Sequence, residues 1–427
     1  MIKKRCSFVA VLLFSLLLAV SCASPKNAAA PAPISNSNTA SDTSTLQVLS
    51  SKPAHFLATG PGQDAASQAI ISWHCLTPTS TIIYADASAP DLSKSISLEG
   101  ELTGSEWYDL DGIYRYKVIL SDLTPATTYT YQIMTADGEL SETFRFRTAG
   151  TDGTFGFAWL SDIHINLLAN MKNVSDLIAY AEEKTDIAFC LFSGDMVNRG
   201  QTYRYWEYWT DSDILSDMEY AFVVGNHEYY TSKIKKISTD SFYLDFAPVY
   251  GSDYWFLYDN VLFICLDSIA PDVSEDDVLQ RQASWFSQVV EENAGRFTYI
   301  IVAQHYAFLD GDIEGTGHYS FWYPIFDRYG VDLALSSDTH AYSRSKVLYN
   351  DAEAVFGTVY VTSPMTEGKE FSEFINDETS LGERSVFNTV KKVSGGCYIS
   401  VTPNELTLHV LGKDGTEYDS VTIPAIR

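Results

Sequence analysis

The chain has 427 residues, 28 basic and 55 acidic, for a formal charge of -27. That length accommodates two to three domains and a sizeable buried core. With no basic patch to offset the repulsion, the charge argues against a nucleic-acid backbone as a partner, but not against a small anionic substrate, because bound divalent cations reverse a local potential.

In chain order, residues 1–21 read as an export signal: Lys3, Lys4 and Arg5, an apolar run from Phe8 to Val20 too short for a comfortable membrane helix, then Ser21-Cys22. Residues 22–46 are Ala, Ser, Asn, Thr and Pro without hydrophobic periodicity, which predicts a disordered tether. A linker of that kind has an end-to-end distance of roughly 25 Å. The stretch Leu18-Ala19-Val20-Ser21-Cys22 resembles a bacterial lipobox, although Ala19 stands where leucine is preferred. The resemblance implies an exported protein of the cell envelope, held to a lipid bilayer through Cys22. An ordinary cleaved signal peptide is the alternative.

Residues 47–149 carry short apolar runs, Ala69 to His74, Thr81 to Tyr84, Tyr114 to Leu120, Tyr129 to Thr135 and Thr143 to Arg147, separated by Pro, Gly and Asp turns. No helical stretch intervenes, so a β-sandwich that packs or spaces is predicted, with Trp73 as a core anchor. From residue 150 to 427 strands and helices alternate. Val174, Leu177, Ile178 and Ala181 make one helix face. A second helix spans about Val278 to Asn293, capped by Ser274 or Asp277, burying Trp285, Phe286, Val289 and Val290, and stopped by Gly295. The aromatic cluster Tyr203, Tyr205, Trp206, Tyr208 and Trp209 reads as helix packing, with the wall of a substrate cleft as the alternative. Gly357 to Ile423 alternates again and predicts added antiparallel strands. Cys75, Cys190, Cys265 and Cys397 sit singly in apolar runs and read as small core residues, although an exported protein has the chance to oxidise a pair.

Five apolar runs end in polar residues of one chemical type: FGFAWLSDIH at Phe155 to His164, IAFCLFSGD at Ile187 to Asp195, AFVVGNHE at Ala221 to Glu228, TYIIVAQH at Thr298 to His305, and VDLALSSDTH at Val331 to His340. Such runs are buried parallel strands, and ligands bind outside their carboxyl ends. Carboxylates and imidazoles suit borderline divalent metals, and a carboxylate with two oxygens can bridge two of them. Two metals roughly 3.5 to 4 Å apart can share a hydroxide and clamp a phosphoryl group.

The ordered set resembles the calcineurin-like metallophosphoesterases: Asp162-Ile163-His164, Gly194-Asp195, Gly225-Asn226-His227-Glu228, His305 and Asp338-Thr339-His340. The continuation His340-Ala341-Tyr342-Ser343-Arg344 is similar to the purple acid phosphatase branch. So is the turn around Tyr116 to Tyr131, which resembles a fibronectin type III strand pair. The resemblance implies a fibronectin-like sandwich followed by a four-layer α/β/β/α phosphoesterase domain. It implies two divalent ions (Mn, Fe, Zn or Mg), with Asp195 bridging, Asp162, His164 and His340 at the first, and Asn226, His305 and Asp338 at the second. His227 would protonate the leaving oxygen or stabilise the transition state, and Asn198 would orient its ring. Arg199 and Arg344 would meet the phosphate or, equally, serve as structural ion-pair partners, and His318, in the loop Asp310 to Tyr319, is a substrate-contact candidate beside a plain solvated-loop reading.

Two departures stand out. Asn198 occupies the position of the purple acid phosphatase tyrosine, so no ferric charge-transfer colour is expected. Asp338 and Ser337 replace the histidine and glycine of the family's GHxH motif. An aspartate there is expected to make the second site harder, shifting preference toward manganese, iron(II) or magnesium relative to zinc, with a weak or empty second site as the competing reading. The expected activity is phosphoester hydrolysis, monoesters ahead of diesters or nucleotides. The alternative is a lipid-tethered binding protein whose phosphoesterase domain has lost turnover.

Overall fold

The computed structural model describes residues 52–88, 94–107, 110–210, 218–231, 242–273, 277–309, 318–367, 384–386 and 394–426. The export signal, the tether, Cys22, Ser274 and most of the 310–319 loop lie outside these residues.

The N-terminal strands are β1 (His55–Pro61), β2 (Ala69–Cys75), β3 (Ser80–Asp86), β4 (Ile96–Glu99), β5 (Glu101–Trp107), β6 (Leu110–Leu120), β7 (Thr128–Thr135) and β8 (Phe144–Arg147). They form a β-sandwich: β1-β2-β6-β5 faces β4-β3-β7-β8 across a core of Ile71, Trp73, Ile82, Tyr116, Ile133 and Phe146. Trp73 is fully buried, the core anchor expected of it, stacks on Tyr116 and donates its indole N–H to Ser80 Oγ at 2.9 Å.

The second part runs β9 (Phe155–Leu160), α1 (Met171–Glu182), β10 (Ile187–Ser193), α2 (Tyr203–Thr210), β11 (Glu219–Val223), β12 (Tyr254–Tyr258), β13 (Val261–Cys265), α3 (Val278–Glu292), β14 (Tyr299–Ala303), α4 (His318–Tyr329) and β15 (Leu333–Ser336). It closes with β16 (Ser343–Arg344), the ribbon β17 (Leu348–Tyr349) and β18 (Ala352–Glu353), β19 (Val359–Thr362), β20 (Gly395–Val401), β21 (Glu405–Gly412) and β22 (Glu417–Pro424). Strands β9, β10 and β11 are parallel, as are β13, β14, β15 and β19. The expectation of antiparallel strands after Gly357 holds for β20 to β22 but not for β19, which adds to the parallel set.

Alternation inside each continuous apolar run sends odd and even side chains to different cores, because successive residues of a strand face opposite ways. Phe157, Trp159, Phe189, Leu191, Phe263 and Ile301 meet between the two sheets. Ala158, Leu160, Cys190 and Phe192 face α1 and α2, where Tyr203, Trp206 and Trp209 are core. Leu262, Ile264, Ile300 and Val302 face Phe286, Val289 and Val290 of α3 and Trp322 and Phe326 of α4. The result is four layers, helix, sheet, sheet, helix. Asp277 caps α3 by accepting from Gln280 N at 3.3 Å. The four cysteines are buried free thiols.

One feature of the fold has no counterpart in the sequence pattern. Strand β1 pairs in parallel with β11 through Thr59 and Glu219, so the sandwich and the α/β part share a ten-stranded sheet. The sandwich also grips the segment at 244–249. Lys117 Nζ donates to the Leu244 and Val249 carbonyls at 2.6 and 2.5 Å, and Arg115 pairs with Asp245 at 3.0 Å. His74 Nε2 lies 2.7 Å from the Asp245 carbonyl and Ser72 Oγ donates to that of Phe246 at 3.1 Å.

Candidate metal centre

The parallel register levels the carboxyl ends of β9, β10 and β11, with Leu160 opposite Phe192 and Ser193 opposite Val223, and those of β14 and β15, with Ala303 opposite Leu335. Five loops therefore open at one end of the two-sheet core. Their backbone is unusual: Asp162, His164, Asp195, Asp338 and His340 all have φ between 48° and 71°. A left-handed residue with a side chain costs about 1 kcal/mol or more. In both Asp-x-His motifs the two left-handed residues flank one ordinary residue.

The side chains then meet. Asp162, His164 and His340 offer ligand atoms within 4.8 Å of one another, as do His164, Asp195 and His227, and as do Asp162, Asp195 and His305. His164 Nε2 faces His340 Nε2 at 3.1 Å, and His340 Nε2 lies 3.5 Å from Asp162 Oδ1. Asp195 turns Oδ2 toward His164 Nε2 and His227 Nε2 at 3.7 and 3.6 Å, and Oδ1 toward His305 Nε2 at 3.3 Å. Around His305 Nε2 stand also Asn226 Oδ1 at 3.1 Å and Asp338 Oδ1 at 3.5 Å.

The donor set fits a pair of cations. Both oxygens of Asp162 are buried with no hydrogen-bond partner, which in the absence of a charge partner is costly. His305 Nδ1 points at the Ser193 carbonyl at 2.8 Å, and a carbonyl only accepts, so Nδ1 carries the proton. Nε2 then faces three oxygens, an arrangement that calls for a positive charge there, either a second ring proton or a metal ion in its place.

The charges respond to this crowding. Burial pushes Asp162 up to about 6 against the pull of His340 and His305. Burial would also raise Asp195, but His227, His305 and His164 outweigh it and hold its carboxyl well below the usual range. For His305 burial is outweighed by Asp195, Asp338 and Asp162, which hold it well above the usual imidazole range.

Glu228 is the brace that motif reading passed over, although it stands beside His227. Fully buried, it accepts from Asp195 N and Gly225 N through Oε2 at 2.9 and 2.8 Å and from Val197 N through Oε1 at 3.2 Å. It thereby ties the β10 loop to the β11 loop. Burial first, then Asp195, pushes its carboxyl up to about 8. The contact leaves room only for glycine at 225, where a Cβ would lie 2.4 Å from Asp195 N. Tyr229 adds a second tie, donating to Asp267 Oδ2 at 2.6 Å.

Of the remaining expectations, His227 is at the cluster, its main-chain N–H donating to Asp195 Oδ1 at 2.9 Å. Its ring is held by Asn198 through the main chain: Nδ1 donates to the Asn198 carbonyl at 2.8 Å. Arg199, half-buried, follows directly. Of its two readings Arg344 takes the structural ion pair rather than the phosphate-facing one. Its Nε and Nη2 reach Asp419 at 2.7 and 3.1 Å, with Tyr342 donating to the same carboxylate at 2.6 Å, and this bidentate pair answers its buried charge. His318 opens α4, buried, with Nδ1 3.3 Å from Gln304 Nε2. Ser337, read as a departure, places its hydroxyl 3.0 Å from His305 Nδ1.

Residues 155–342 match the calcineurin-like phosphoesterase family, and residues 57–148 match the purple acid phosphatase N-terminal domain. Among solved structures the chain is similar to purple acid phosphatase PPD1 from yellow lupin (Lupinus luteus) seeds, at 15% identity over 87% of this chain and 74% of that one, with a TM-score of 0.69. It is also similar to PhoD, at 12% identity over 88% of this chain and 91% of that one, with a TM-score of 0.60. At such identities the likeness is one of fold. No curated protein sequence matches the chain.

Proposed function

We propose a specific reaction for this chain, which by its purple acid phosphatase N-terminal domain and its calcineurin-like phosphoesterase domain is a metal-dependent phosphoester hydrolase: hydrolysis of phosphomonoesters at the strand-end cluster. The observation that carries the reading is the convergence of Asp162, His164, Asp195, Asn226, His305, Asp338 and His340 from five loops onto one point, with acceptor facing acceptor. Two divalent ions bound there would supply Lewis acidity toward the phosphoryl oxygens and lower the pKa of a shared water to make the nucleophile.

The protein's own contribution is position. Asp195 presents one oxygen to each half-site, and its main-chain N–H is held by Glu228. His227 holds its Nδ1 proton on a carbonyl, which leaves Nε2 as the atom that gives a proton to the leaving oxygen, 3.6 Å from the Asp195 carboxylate that stabilises the charged ring. Arg199, next to the carbonyl that orients His227, is the cation assigned to the phosphate. Asp338 Oδ1 faces the second half-site, which supports turnover over the binding-protein alternative. The N-terminal signal supports an exported enzyme anchored at Cys22.

Purified protein supplied with Mn, Fe or Zn is expected to hydrolyse aryl phosphomonoesters faster than diesters, and Asp195→Asn to abolish this. Absence of turnover on both ester types, or full activity in Asp195→Asn, would overturn the reading.

A further inference from the structure

An asparagine amide has one end that ligates a cation and one that does not, related by a half-turn about χ2. Asn226 Oδ1 is the end beside His305 Nε2, at 3.1 Å, and Asn226 Nδ2 donates to the Tyr230 hydroxyl at 2.9 Å. The Tyr230 ring lies against His227, with centroids 4.5 Å apart and planes at 46°. We infer that Tyr230 is a positioning residue of the second half-site: its phenol oxygen accepts the amide N–H and thereby commits the Asn226 oxygen to the ion. The inference rests on the metallohydrolase reading above.

His305 offers a contrast within the same half-site. Its Nδ1 faces both the Ser193 carbonyl, at 2.8 Å, and the Ser337 hydroxyl, at 3.0 Å. The carbonyl alone keeps the proton on Nδ1, so Ser337 is redundant for that ring. Tyr230 sits on a half-buried side chain whose loss leaves the amide free to turn. The sequence neighbours of a ligand thus divide into one that selects the ligating atom and one that merely supports it.

The test is a Mn²⁺ titration of the chelator-stripped full-length chain by equilibrium dialysis, with free ion read by electron paramagnetic resonance. Wild type is expected to take up two ions. Tyr230→Phe keeps the ring on His227 and is expected to bind the first ion unchanged and the second about fivefold more weakly, the order of one neutral hydrogen bond. In an Asn226→Asp background both ends of residue 226 are oxygens, so the same change is expected to cost less than about twofold. Ser337→Gly is likewise expected to stay within about twofold. Equal second-ion affinity in Tyr230→Phe and wild type, or equal weakening in both backgrounds, overturns the inference while leaving the hydrolase reading standing. A wild-type chain that takes up no second ion overturns both.

Discussion

Removing the Glu228 carboxylate tests whether the two loops that carry Asp195 and Asn226 are held from behind. Three buried main-chain N–H groups, those of Asp195, Val197 and Gly225, end on its two oxygens. Above pH 8, where this raised carboxyl is ionised, hydrogen bonds to it as a charged acceptor contribute about 1.5–3 kcal/mol each, and their loss is less than additive when one site loses all three. Glu228→Ala is therefore expected to lower the unfolding free energy of the metal-free protein by about 3–5 kcal/mol, the range for stripping the partner from a buried polar cluster. Glu228→Gln keeps an acceptor at the Oε2 position for Asp195 and Gly225 and turns an amide N–H toward Val197 N, so its cost is about 1–2 kcal/mol. Urea denaturation of chelator-treated protein, with m values compared to confirm an unchanged transition, gives both numbers. A Glu228→Ala cost below about 1 kcal/mol, or a Gln cost equal to that of Ala, would refute the brace.

Asp162 is held with both oxygens buried and no hydrogen-bond donor, which a metal rewards and its absence penalises. Metal-free Asp162→Asn is expected to be more stable than wild type by about 1–2 kcal/mol, with the order reversed in Mn²⁺; melting curves with and without chelator check this. Lys117 is buried against the 244–249 segment, and burial pushes its ammonium down to about 8 although Asp245 opposes it. Between pH 8 and the free lysine value the unfolded chain binds the extra proton, so wild type gains stability with rising pH. Its stability relative to Lys117→Met should climb by about 3 kcal/mol over that window. A flat difference would contradict the assignment. Asp338→His is expected to move metal preference from manganese toward zinc, read from activity and affinity across the two ions.

The strand ends were legible because their chemistry is local: apolar run, then Asp, His or Asn, five times, in an order that matches one family. The helix faces were legible for the same reason, since Val174, Leu177, Ile178 and Ala181 repeat at helical spacing and are all buried. The aromatic residues of α2 were read as packing, and Tyr203, Trp206 and Trp209 are core.

What sequence alone determined, then, is which residue types stand at the ends of buried strands. A continuous apolar run does not say which of its residues faces the other sheet and which faces a helix, because both faces are dry. Nor does it show the left-handed backbone at Asp162, His164, Asp195, Asp338 and His340, a conformation that only surrounding contacts sustain. Tertiary structure alone decided the rest. It gave Arg344 to Asp419, 75 residues away, rather than to a phosphate. It oriented His227 by the carbonyl of Asn198, a group every residue carries and no motif can reveal. It aimed Asp338 at His305, joined the sandwich to the catalytic sheet through β1 and β11, and set Glu228 beneath Asp195. These are contacts between segments distant in the chain, and their physical content is geometry, which residue type does not encode.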